Sequence, residues 1–181
     1  MRIIGGEFKS RILADFAGDD VRPTSDRARE ALFNILARKV PLARVLDLFA
    51  GSGALGIESL SRGAKEVVFN DAAKDSVALL KKNLATLKLT NSDRVQISNR
   101  DYSVCLDCDV GKFDIIFLDP PYRFDYGKIA LEKIARKGLL NDDGVIIYER
   151  DRAFEGEIAG LEKYDERKYG KAIFTFFRRE V

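Results

Sequence analysis

The chain has 181 residues, of which 46% are hydrophobic and 33% charged, and its net charge is +2. That length suffices for one domain with a real core, and no apolar run approaches the roughly 18 residues of a membrane span. Histidine is absent altogether, which excludes imidazole general bases, His-based triads and most zinc sites.

Two cysteines and an N-terminus without a long apolar stretch lead us to expect a cytoplasmic protein. No repeat, low-complexity tract or linker divides the chain, so residues 1–181 are read as one domain, with 1–43 an extension ahead of a core at 44–181. Residues 1–39 hold eight basic side chains against six acids. A basic face of that kind can contact phosphates, and a solvated mixed surface explains it equally well.

In chain order, residues 2–13 carry two apolar patches around Gly5-Gly6 and predict a β-hairpin. Thr24, Ser25 and Asp26 are good caps for a helix, on which Ala28, Ala31, Leu32, Ile35 and Leu36 share one face and which Pro41 ends. From Arg44 strands and helices alternate. Strands are expected at 45–49, 66–70, 95–98, 113–118 and 144–149, and helices reach to about 61 and span 73–87 and 126–136. The apolar run 113–118 reads as a strand covered on both faces. Residues 162–169 and 172–178 flank Gly170-Lys171 as an antiparallel hairpin. This is an α/β pattern, a mostly parallel sheet between helices with an antiparallel C-terminal hairpin.

After the first strand comes Asp47-Leu48-Phe49-Ala50-Gly51-Ser52-Gly53-Ala54-Leu55-Gly56, a complete G-x-G-x-x-G. Such glycines permit a tight turn, close approach of a ligand to the backbone and close helix–strand packing. The motif also serves nicotinamide and flavin enzymes. Asp71 ends the second strand, where an acid accepts bonds from a ribose diol. Asp47 discriminates: beside a pyrophosphate it would repel an anion, whereas it suits the cationic ammonium and sulfonium of S-adenosylmethionine. Asp101, next to Tyr102, follows the third strand and can bond an adenine amino group, with the ring packed nearby.

Asp119-Pro120-Pro121-Tyr122 follows the buried fourth strand and opens into the same crevice. An exocyclic aromatic amine is a poor nucleophile because its lone pair is delocalised into the ring. Two acceptors on its N–H bonds, the Asp119 carboxylate and the Pro120 carbonyl, pull it toward tetrahedral geometry. The proline pair fixes the backbone, and Tyr122 offers a face for a flipped-out base. No strong base is needed, since the proton becomes acidic only as the N–C bond forms.

The segments 47–53 and 119–122 resemble motifs I and IV of the amino-methyltransferases. Arg22-Pro23-Thr24-Ser25-Asp26-Arg27-Ala28-Arg29-Glu30-Ala31-Leu32-Phe33-Asn34-Ile35-Leu36, with Arg2-Ile3-Ile4-Gly5-Gly6 and Tyr169-Gly170-Lys171, resembles the signatures of the RsmD-type 16S ribosomal RNA guanine-N2 methyltransferases. The resemblance spans essentially the whole chain. It implies a Rossmann-like, seven-stranded methyltransferase domain that takes a guanine of the small-subunit 16S rRNA, within an assembled or partly assembled subunit. It further implies a monomer that needs neither metal nor membrane. Arg22 and Thr24 would lie beside the methionine end of the cofactor, Asp71 at the ribose and Asp101 with Tyr102 at the adenine. Where the family has Glu at the ribose position, this chain has Asn70-Asp71, and Glu149 has no role assigned.

Cys105-x-x-Cys108 lacks a second pair for zinc and is set aside. So are the aromatics at 174–177, read as core, and Lys81, Lys82 and Lys88, read as a solvated face. A DNA or RNA adenine-N6 enzyme, a protein glutamine methyltransferase and a non-catalytic RNA-binding assembly factor are the competing readings. The DNA enzyme would need a recognition region for which 181 residues leave no room.

Overall fold

The computed structural model describes residues 1–16, 25–121 and 125–180. The order begins α1 (Asp26–Ile35), β1 (Arg44–Asp47), α2 (Ala54–Ser61), β2 (Glu66–Asn70), α3 (Lys74–Thr86), β3 (Val95–Ser98). It continues α4 (Tyr102–Asp107), β4 (Phe113–Leu118), α5 (Tyr126–Lys137), β5 (Leu140–Arg150), β6 (Leu161–Tyr169), β7 (Ala172–Arg179).

All strands join one sheet in the order β3-β2-β1-β4-β5-β7-β6. β1 to β5 pair in parallel, while β7 runs against both of its neighbours. The chain winds outward from β1 through β2 to β3, then returns to lay β4 on the other side of β1. Ligands of open α/β sheets bind outside the C-terminal strand ends at such a reversal, so the crevice belongs between β1 and β4.

Side-chain alternation divides the sheet's two faces. Val45, Phe69, Phe117 and Ile147 pack with α1, α2 and α3, while Leu46, Ile116, Leu118 and Tyr148 pack with α4 and α5. The rings of Phe33 on α1 and Phe117 on β4 meet at 5.9 Å. Burying each such side chain contributes about 1.5–3 kcal/mol. The hairpin aromatics Phe174, Phe176 and Phe177 are core residues, as their sequence context predicts.

The expected elements are present, with four differences. The N-terminal hairpin is reduced to a single antiparallel bridge, Arg2↔Ile12. Ile3, Ser10 and Leu13 N–H still donate across it, to Arg11 O, Ile3 O and Met1 O, but the donors nearer the turn go to α2: Ile4 and Gly5 N–H to the Glu58 carboxylate and Phe8 N–H to Ser61 Oγ, each at 2.9 Å. Ser25 does cap α1, accepting from Ala28 N–H, but Ile35 is exposed while Phe33 and Arg29 are buried. Arg29 therefore adds nothing to a basic face; its guanidinium donates to the Arg2 carbonyl and to Asp26. β5 starts earlier than residue 144 because Leu140 pairs with Phe113 ahead of an irregularity, beyond which Val145 pairs with Ile115. A short helix, α4, follows β3, and its end carries the C-x-x-C.

Candidate active site

The glycine loop divides its labour among three residues. Gly51 (φ +54°) and Gly53 (φ +86°) adopt the left-handed backbone that turns β1 into α2. A Cβ on Gly53 would stand 2.5 Å from Leu80 Cδ1, and one on Gly56 would stand 2.2 Å from Phe69 Cε1. Gly53 thus lets the loop rest on α3, and Gly56 lets α2 lie on β2. Two further bonds hold the turn, Gly53 N–H to Ala50 O at 2.7 Å and Ala50 N–H to Asn70 O at 2.9 Å.

Asp47, at the last position of β1, is 2% exposed, and its carboxylate accepts from Gly56 N–H at 2.9 Å. Burial pushes its pKa up to about 7; the Gly56 bond opposes that rise and the Asp71 charge adds to it. Alternation puts Asp47 on the α1 side of the sheet, with Val45. Asp119, one step past β4, and Glu149, near the end of β5, fall on that same side. Asp119 keeps part of its surface open while Glu149 is buried. Desolvation first, then Glu149, then Asp47 hold the Asp119 carboxyl well above the usual carboxylate range. Pro120 is buried and Pro121 exposed.

Asp71 and Asn70 are distinguished by their surroundings. Asn70 is buried and its amide donates to the carbonyls of Leu48 and Arg100. Asp71 is half-buried and accepts from Gly51 N–H at 2.9 Å and Ala73 N–H at 2.8 Å. The accessible acid at the end of β2 is Asp71.

On the sheet's other side three rings pack in a row, tilted against one another, Phe49 to Tyr102 at 5.4 Å and Tyr102 to Tyr126 at 5.2 Å. Tyr102 thereby joins the glycine loop to α5, the helix after the Asp-Pro-Pro segment. Asp101 is exposed and caps α4 through Ser103 N–H at 2.8 Å. Lys133 on α5 fastens α4 by donating to Ser103 O, Ser103 Oγ and Asp107, at 2.8, 2.7 and 2.6 Å.

Asp47, Ala50, Gly51, Ser52, Gly53 and Asp71 therefore gather around one turn, with Asp119 and Pro120 on the adjacent strand end. Phe49 and Tyr102 pack tilted against each other on the opposite side. Arg22, Thr24 and Tyr122 lie outside the described residues. Sequence reasoning passed over Tyr126 and Asn83. Tyr126 carries a signal, an aromatic shortly after the tetrapeptide; Asn83 carries none, because its partners are distant in sequence.

The model of a protein family described as Conserved hypothetical protein 95 matches residues 1–178. The chain is 40% identical over 158 residues to the Bacillus subtilis protein YlbH, covering 86% of this chain and 85% of that one. It is 34% identical over 183 residues to the Escherichia coli protein named Ribosomal RNA small subunit methyltransferase D, covering 100% of this chain and 91% of that one. Among solved structures, that of yhhF from Escherichia coli superimposes with a TM-score of 0.87 at 32% identity, covering 99% of this chain and 98% of that one.

Proposed function

This chain belongs to the family described as Conserved hypothetical protein 95, the RsmD-type methyltransferases that its sequence resembles, and from that premise we propose its reaction. It moves the methyl group of S-adenosylmethionine onto the exocyclic N2 amine of one guanine in the 16S RNA of the small ribosomal subunit. The observation that carries this reading is the placement of Asp119 beside Asp47, at neighbouring strand ends next to the glycine turn.

The residues present fit that cofactor. Asp47 is a buried acid at the position where a dinucleotide enzyme would meet a pyrophosphate, and burial leaves its carboxyl poised to gain from a cation. S-adenosylmethionine, when bound, supplies an electrophilic methyl on a sulfonium. Asp47 would face its charged methionine end together with Arg22 and Thr24. Asp71 would take the ribose diol, and Asp101 with Tyr102 the adenine.

Asp119 and the Pro120 carbonyl would accept the two N–H bonds of the target amine, freeing its lone pair. Asp119 would then take the proton that the amine loses once its nitrogen is methylated. A carboxyl whose proton affinity is raised is suited to receive it. Tyr122 would stack on the base.

The test is incubation with labelled S-adenosylmethionine and, separately, free 16S RNA, small subunits lacking the modification, and duplex DNA. Mass spectrometry then locates the label. We expect N2-methylguanine in the subunit; label on DNA adenine alone would overturn the reading.

A further inference from the structure

We propose that Asn83 is a positioning residue that latches residues 14–16 onto the glycine turn and makes them one wall of the cofactor site. The inference rests on the function proposed above for the identity of the cofactor, though the latch itself is a property of the chain.

Asn83 lies on α3 with 0% of its surface exposed. Its Oδ1 accepts from Ala14 N–H at 2.9 Å, and its Nδ2 donates to Ala14 O at 3.0 Å and to Ser52 O at 2.9 Å. The side chain thus pairs with both backbone groups of residue 14, as a neighbouring strand would, and spends its second N–H on the glycine turn. Both amide hydrogens and the oxygen are engaged, so no other side chain replaces it without losing a bond. Asp71 holds the same turn through Gly51 N–H. The turn is therefore fixed from two sides by side chains of one β2–α3 unit.

The latched segment reaches the site. The Phe16 ring comes within 3.7 Å of the position a Cβ on Gly51 would occupy, and Met1 Sδ approaches Ser52 Oγ at 3.9 Å. Residues 14–16 directly precede the stretch that carries Arg22 and Thr24.

The experiment compares wild type, Asn83→Asp and Leu84→Ala. The aspartate is isosteric and still accepts from Ala14 N–H, but it opposes a carboxylate to the Ala14 and Ser52 carbonyls. Leu84 is a buried neighbour on α3 without bonds to the turn, and its truncation controls for lost stability. Amide exchange is first followed without cofactor. Asn83→Asp should speed exchange at residues 14–16 and 51–53 by about tenfold or more, an effect that Leu84→Ala lacks. Calorimetric titration with S-adenosylmethionine should then show Asn83→Asp binding about tenfold more weakly, with kcat at saturating cofactor within about threefold of wild type. Unchanged exchange in Asn83→Asp, or equal weakening in Leu84→Ala, overturns the latch. Wild type that fails to bind S-adenosylmethionine sinks the proposed function instead, while the exchange measurement still decides the latch.

Discussion

Asp119 and Glu149 stand one residue beyond the last registered pair of β4 and β5, Leu118↔Tyr148, and the charge of Glu149 is, after burial, the main cause that raises the proton affinity of the Asp119 carboxyl. The two acids are neighbours across a parallel ladder whose strands lie about 5 Å apart. Only ionised Asp119 can take the amine's proton, although either form can accept its N–H bond. Turnover should therefore rise with pH, with an acid limb above the ordinary aspartate range near about 3.9. Glu149→Gln removes one cause of the shift but leaves burial in place, so the limb should move to lower pH without vanishing. A single-turnover pH profile decides this, and coincident limbs for wild type and variant would refute it.

Removing the Asp119 side chain separates chemistry from cofactor binding. Asp119→Ala should lose about 10²–10³-fold in kcat, the usual cost of deleting one preorganised group that acts on the transition state. Its affinity for S-adenosylmethionine, measured by calorimetry, should stay within about threefold of wild type. Wild-type turnover in this variant would exclude the acceptor role.

Asp47 predicts a trade between stability and binding. Its pKa in the folded chain is about 7, against about 3.9 unfolded. Between those values the folded state binds more protons than the unfolded one, so stability declines as pH rises from about 4 to about 7. Asp47→Asn keeps an acceptor for Gly56 N–H and removes that decline. Scanning calorimetry of the cofactor-free variant should match wild type near pH 4 and melt several degrees higher above pH 7. Its affinity for S-adenosylmethionine should fall by about tenfold or more. Melting curves that run parallel across the whole range would contradict the assignment.

Gly56 is a packing requirement more than a conformational one. Its φ is not among the left-handed ones, so the cost of Gly56→Ala comes from the Cβ placed 2.2 Å from Phe69 Cε1. Overpacking of that kind costs about 1–3 kcal/mol, partly offset by about 1 kcal/mol of helix propensity. Phe69→Leu should recover part of the loss in a double-mutant cycle. Additivity of the two substitutions would show that the ring does not set the helix–sheet spacing.

The sheet, the glycine turn and the place of Asp119 at the end of β4 were legible because their signals are local. Alternating apolar runs, spaced glycines and acids at strand ends need no knowledge of the rest of the chain. What was not legible is tertiary. Asn83 reads as one more polar residue on α3, and its bonds to Ala14 span 69 positions. Ile35 fits the helical stripe, yet Arg29 and Phe33 take the interior, because Arg29 finds Asp26 and a carbonyl there. α4 is only six residues long, too short for a period to show. Asn141, Asp142, Asp143 and Gly144 look like a turn, and they occupy the irregular stretch of β5.

The reversed strand has a consequence for biosynthesis. β6 reaches the sheet only through β7, although the ribosome makes β6 first. While β7 is still unmade, β5 presents a bare edge and β6 has nothing to pair with. The last strand to be placed is therefore not the last to be made, and a nascent chain halted before residue 172 should remain open to protease along both strands.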